Sequence, residues 1–217
     1  MRTLLCGILV VSALASVAKS APLSESELKN LLAAIRQNRT TQADFQEQRV
    51  IRLMKKPVVS SGAVWFQPPN KFRREVKGTS PSITVSDGRE LWIYYPNFKS
   101  AERYPLGKGS PLDATVAAIN SALNLENIET SFNISATKSD TGHELALLPR
   151  TAAMKRVFQK LDLRINDKFR VERTDMLLPN GDRIATAYSN QTRAPIPPST
   201  FEFKPPSGTE VTTPLGQ

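Results

Sequence analysis

The sequence predicts a mainly β protein with a few helices, built as an antiparallel meander of about eleven strands. Three observations carry this reading. From Thr41 onward the apolar residues recur with a period of two for most of the chain. Asp87-Gly88, Asn166-Asp167 and Asn180-Gly181 separate such runs, and dipeptides of this kind favour the tight turns of β-hairpins. Two other stretches follow the helical period instead.

The N-terminus has the three parts of a secretory leader. Met1-Arg2-Thr3 is basic, Leu4 to Val17 is apolar apart from Gly7, Ser12 and Ser16, and Ala18-Lys19-Ser20 places small residues before the expected cut. The apolar run is short of the ~20 residues that a membrane-spanning helix needs. Residues 1–20 are therefore expected to be removed, with cleavage near Ser20/Ala21 and release of the remainder into solution. Cys6, the one cysteine, lies inside that leader, so no disulfide, thiol nucleophile or cysteine-bound metal is expected afterwards. It also lies too close to Met1 to carry a lipid anchor. Residues 21–217 then suffice for one domain with a sizeable core.

The elements follow in order. Ser24-Glu25-Ser26-Glu27 reads as a capping box, and Leu28, Leu31, Leu32 and Ile35 behind it share one helical face, up to about Asn38. Strands are expected near 42–53, 59–66 and 71–77. The Asp87-Gly88 hairpin follows, with Ser82–Ser86 before it and Arg89–Tyr95 after it, then strands near 99–104, 131–136 and 143–148. Asn166-Asp167 joins Phe158–Ile165 to Lys168–Leu177, and Asn180-Gly181 leads to Arg183–Ser189, with a short terminal strand at Phe201–Phe203. Between these, Pro111 to Leu125 reads as a second helix, with Leu112, Val116, Ile119 and Leu123 on one face.

A sheet of that size is roughly 50 Å across at ~4.8 Å per strand, so it should curl or split into two layers. Two short helices cannot cover its whole inner face, which leaves a hollow or a filled sandwich open as alternatives. Val64, Phe66, Phe72, Ile83, Val85, Leu91 and Ile93 fall on alternating sites and read as facing inward. Trp65, Trp92 and Tyr94 have the other parity and read as packing against helices or shielding an edge.

Composition argues against several functions. The formal net charge is +9, spread along the chain without interleaved aromatics, so nucleic acid is not an expected partner. The charge suits solubility, anionic membrane surfaces or acidic partners. His143 is the sole histidine, which excludes histidine-rich metal sites. A triad of Ser86, Asp87 and His143 lacks the strand-turn-helix context of a nucleophile elbow. Glycine-rich phosphate loops are absent from the sequence. Neither catalysis, metal nor cofactor is expected.

Several motifs resemble the LolA family of periplasmic outer-membrane lipoprotein carriers. They are Phe45-Gln46-Glu47-Gln48, Gly62-Ala63-Val64-Trp65, Pro69-Asn70-Lys71-Phe72, the run from Val85 through Ser86-Asp87-Gly88 and Leu91-Trp92 to Tyr94 and Pro96, and the ending Phe201-Glu202-Phe203-Lys204-Pro205-Pro206-Ser207-Gly208. The resemblance implies a half-open antiparallel barrel of about eleven strands, with a helical lid over a hydrophobic cavity. Lipid would meet Phe45, Val64, Phe66, Phe72, Ile83, Val85, Leu91 and Ile93, with Phe72 near the mouth. Leu28, Leu31, Ile35, Leu112, Val116 and Ile119 would form the lid. It also implies a monomer, acylated lipoprotein or other lipid as cargo, an inner-membrane releasing complex and an outer-membrane receptor.

Two positions depart from the family. Pro68 stands where the family has a lid-latching arginine, and proline can neither donate nor carry charge. Arg74 stands where an aromatic is frequent, which makes that stretch of wall more polar. Lys56 to Gly62 also resembles LolA-related paralogues, some of which handle lipids other than lipoproteins. A carrier of another acylated or polyene lipid, or a lipid-sensing envelope regulatory domain, is the alternative function.

Overall fold

The computed structural model describes residues 21–68, 70–106 and 128–214. It opens with α1 (Glu25–Gln37), whose start is the capping box: the Ser24 N–H donates to Glu27 Oε2 at 2.8 Å and the Glu27 N–H to Ser24 Oγ. Asn38 closes the helix by donating its backbone and side-chain N–H to the Ala34 carbonyl.

Among the described residues twelve strands follow: β1 (Gln42–Val50), β2 (Val58–Gln67), β3 (Lys71–Lys77), β4 (Ser82–Ser86), β5 (Glu90–Tyr95), β6 (Ser100–Pro105), β7 (Phe132–Ser139), β8 (Gly142–Pro149), β9 (Lys160–Asn166), β10 (Val171–Leu177), β11 (Arg183–Thr192) and β12 (Glu210–Thr212). Single helical turns, α2 (Ile128–Ser131) and α3 (Ala152–Lys155), precede β7 and β9. All strands belong to one open sheet in the order β12-β6-β5-β4-β3-β2-β1-β11-β10-β9-β8-β7. Every pairing is antiparallel except that of β12 with β6. The three hairpins signalled by turn residues form, as β4–β5, β9–β10 and β10–β11.

The sheet curls strongly. Tyr104 on β6 and Leu161 on β9 stand eight strand steps apart, roughly 40 Å on a flat sheet, yet both line one cavity. Helix α1 lies over one half of the concave face. Its Leu31, Leu32 and Ile35 are buried with Phe132, Leu145, Leu147, Phe158, Leu161, Leu163 and Ile165. A second cluster, with Phe45, Val64, Phe66, Phe72 and Leu91 at its centre, belongs to β1, β2, β3 and β5.

Two expectations change. Phe201–Phe203 is not a strand: Pro198–Phe201 is a 3-10 turn, and the final strand lies further on at β12. The segment from Arg193 to Gly208 is rich in proline, which has no N–H for a ladder, so it crosses the convex face as a strap. Phe203 packs on Trp92 and Tyr94, each 5.6 Å between ring centres, and Arg73 donates to the Thr200 carbonyl at 3.2 Å. Trp92 and Tyr94 are thus held by the strap. The Asn166-Asp167 turn is also wider than a two-residue hairpin, because the left-handed residue is Phe169 (φ 56°) and Asn166 Oδ1 accepts from Lys168 and Arg170. The Pro111 to Leu125 helix, with Leu112, Val116 and Ile119, lies outside the described residues.

Candidate functional site

An apolar cavity of about 480 Å³ lies between β1–β6 on one side and β9–β11 on the other. Six of the eight residues expected to meet lipid line it: Phe45, Val64, Phe66, Phe72, Leu91 and Ile93. Phe72 is only 4 % exposed and shares a cluster with Phe66 and Leu91. It is a packed part of the wall, which corrects the expectation of a wet mouth position.

Ile83 and Val85 do not line the cavity; Thr84 does. The reason is register. In the β4–β5 hairpin Ser86 pairs with Leu91, Thr84 with Ile93 and Val85 with Trp92, and directly paired residues share a face. Ile83 and Val85 therefore lie on the convex side with Trp92 and Tyr94. Val85, between Arg73 and Trp92 in the ladder, is buried there beneath the strap.

The lid expectation for α1 also changes. Leu31 and Ile35 are core residues of the β7–β9 half, Leu28 packs at the edge of that core, and none of the three lines the cavity. Ile35 reaches only a small adjoining void of about 50 Å³, whose walls share Phe66, Thr174 and Tyr188 with the cavity. The amphipathic stripe of α1 satisfies itself on one half of the sheet, so it acts there as a core plug.

The far wall was missed in the sequence. Thr174 and Met176 on β10 and Ile184, Thr186 and Tyr188 on β11 complete the cavity, with Val157, Phe158, Leu161 and Leu178 at one end. The signal was present as alternation in the Asn180-Gly181 hairpin, whose two strands bring 176 opposite 184.

The lining is mostly apolar, with one ion pair among its residues. Arg74 Nη2 lies 2.9 Å from Glu47 Oε2, and the guanidinium carbon sits 4.4 Å from the centre of the Phe45 ring. Thr84, Thr174, Thr186 and Tyr188 also contribute hydroxyls to the lining. Burial raises the Tyr188 phenol above its ordinary value. At the β6 side Tyr104 donates to Glu102 Oε2 at 2.6 Å, and burial together with that bond pushes it up to about 12. Both phenols stay protonated near neutral pH.

Next to this wall, two turns are tied together. The Ser86 hydroxyl donates to the Asn70 carbonyl and accepts from the Gly88 N–H, while Asn70 Nδ2 donates to the Gly88 carbonyl. Asp87 Oδ1 accepts from the Arg89 and Glu90 N–H groups. The Asn70 and Ser86-Asp87-Gly88 motifs therefore fix the β2–β3 turn against the β4–β5 turn. His143, on β8, stacks on Phe169 instead.

Residues 36–204 match the family described as outer membrane lipoprotein carrier protein LolA. The chain belongs to the LolA family. It is 28% identical over 183 residues to an outer-membrane lipoprotein carrier protein of Dechloromonas aromatica, covering 82% of this chain and 83% of that one. It is 30% identical over 154 residues to the protein of the same name from Methylibium petroleiphilum, covering 70% and 72%. An uncharacterised conserved protein of Thermus thermophilus shares the fold, with a TM-score of 0.52 at 16% identity over 86% of this chain and 99% of that one. The departures from the LolA pattern have clear places: Pro68 follows the last residue of β2, and Arg74 is the cation of that ion pair. Among the described residues no helix is long and apolar enough to cross a membrane.

Proposed function

We propose that this chain is a periplasmic carrier that takes the acyl chains of lipoproteins into the β1–β6/β9–β11 cavity and moves them from the inner to the outer membrane. The observation that carries the reading is the apolar cavity built from both halves of one curled sheet in a member of the LolA family. Its volume, about 480 Å³, falls within the roughly 300–1,000 Å³ of ordinary ligand sites. Acyl chains gain about 0.8 kcal/mol per buried methylene, enough to hold a lipid-modified protein in solution. Delivery then requires a tighter acceptor, since a carrier of this kind has no other source of free energy.

Residues 1–20 are a cleaved leader, the remainder is one carrier domain, and Phe45, Val64, Phe66, Phe72, Leu91 and Ile93 contact the cargo. Loading comes from an inner-membrane releasing complex and unloading goes to an outer-membrane receptor. An environment-sensitive fluorescent fatty acid should bind saturably and be displaced by a triacylated peptide. Absence of saturable binding by the folded protein would overturn the carrier reading.

The Arg74–Glu47 pair favours a second reading, in which the cargo is another acylated lipid with a polar group at that depth. Native mass spectrometry of protein taken from its own periplasm distinguishes the two by the mass it carries.

A further inference from the structure

Strands β1 and β2 pair from Gln42 opposite Trp65 to Arg49 opposite Val58, and the chain reverses through residues 51–57. At this tip Leu53 is 97% exposed and Met54 51%, with Val59 beside them at 71%. A leucine so fully exposed contributes nothing to the core. Arg49, Arg52, Lys55 and Lys56 flank these residues along the chain, all of them exposed, and no Asp or Glu occurs between Gln48 and Gly62.

The base of the tip is tied to the β10–β11 turn. The Arg52 N–H donates to Asp182 Oδ1 at 3.1 Å, Arg49 lies 3.9 Å from Asp182 Oδ2, and the Met54 N–H donates to the Ile51 carbonyl at 2.9 Å. Asp182 is itself buried in the β10–β11 turn, so it anchors the loop and leaves Lys55 and Lys56 facing solvent. Exposed Phe98, by comparison, stands at a different turn with only Lys99 as an adjacent cation.

We propose that the β1–β2 tip is a membrane-touching element, which seats Leu53 and Met54 among the acyl chains of an anionic bilayer while its basic residues meet the lipid phosphates. Apolar side chains that enter the interface, ringed by cations that an anionic surface attracts, are what such a contact requires. The tip also stands at one end of the cavity. Arg49 pairs with Ile184 and Ile184 with Met176, and both of the latter line it. Docking would hold that end against the bilayer. The contact itself does not rest on the carrier reading; its use in loading or unloading does.

The test is sedimentation of the secreted protein with vesicles of phosphatidylcholine, with and without phosphatidylglycerol. Binding is expected only to the anionic vesicles and should weaken as salt screens the basic residues. Leu53→Asp/Met54→Asp should abolish it, and Lys55→Ala/Lys56→Ala should weaken it several-fold. A Leu53→Cys protein, labelled with an environment-sensitive dye after leader removal, should shift to the blue on binding and be quenched by brominated lipid tails. Failure of the native protein to bind, native-like binding by Leu53→Asp/Met54→Asp, or a dye that stays in water while the protein pellets would each overturn the proposal. Fluorescent fatty-acid affinity, measured in parallel on every variant, reports the fold and the cavity separately. Vesicle binding without fatty-acid binding would remove the carrier reading and leave this one standing.

Discussion

Arg74 on β3 reaches across β2 to Glu47 on β1, with 2.9 Å between Nη2 and Oε2 and the guanidinium lying over the Phe45 ring. The strand crossed carries Gly62, opposite Phe45 on one side and Val76 on the other. A Cβ at Gly62 would fall 1.7 Å from the Glu75 carbonyl oxygen and 2.9 Å from the Phe45 ring. Only glycine lets β2 run this close to β3 beneath the ring that the guanidinium stacks on. The pair gives the wall polarity without leaving a lone charge in it.

Removing one partner should therefore cost more than removing both. A fully buried pair broken on one side costs about 3–5 kcal/mol. Both side chains here keep some solvent contact, so Arg74→Met is expected to cost roughly 1–3 kcal/mol on the same grounds. Arg74→Met/Glu47→Gln should recover most of that loss, as read by urea unfolding. Equal stability of the single variant and the native protein would mean that Glu47 is solvated without its partner.

Phe72 offers a sharper test of the wall. Because it is packed against Phe66 and Leu91, Phe72→Glu should destabilise the fold by several kcal/mol, through a buried unpaired charge. Phe72→Leu should retain the melting transition and lower fatty-acid affinity. A Phe72→Glu protein as stable as the native one would place the ring on a wetted rim after all.

Much of the fold was legible because its signals are local. The capping box, the three hairpin turns and the alternation of β1 to β11 need no knowledge of distant contacts. The facing of Ile83 and Val85 was legible too, since a hairpin with an even loop pairs an odd residue with an even one. Val85 thereby joins Trp92, and it is the serines and threonine of β4 that share a face with Leu91. Two features had no local signal. The strap obeys no period, and its course depends on Phe203 finding Trp92 and Tyr94 across the sheet. Nor does an amphipathic stripe on α1 say which half of the concave face it will cover.

The strap makes a prediction of its own. Phe201 is fully buried although it follows a run of prolines, so Phe201→Ala should cost about 3–5 kcal/mol, as for other buried aromatics. Phe203→Ala should cost less and change Trp92 fluorescence, because Phe203 is half-buried and touches that ring directly. A truncation before Pro197 that left stability and Trp92 emission unchanged would show the strap to be idle.

The last prediction concerns acid. His143 on β8 lies between Lys138 on β7 and Ile165 on β9, with its ring stacked on Phe169, and its Nδ1 is buried with no hydrogen-bond partner among the described residues. Burial, and then the Lys138 charge, hold its pKa below the ordinary 6.5. The unfolded chain consequently takes up a proton more readily than the folded one, and stability must fall as pH drops through and below 6.5. The carboxylates with lowered pKa values, Glu27, Glu90 and Glu129, work in the same direction but only as pH falls below their ordinary 4.5. The interval between about pH 7.5 and pH 5 thus isolates the histidine. Native protein should lose unfolding free energy across it, and His143→Gln should lose markedly less. Parallel curves for the two proteins would mean that the ring is hydrated in solution and that Lys138 does not oppose its charge.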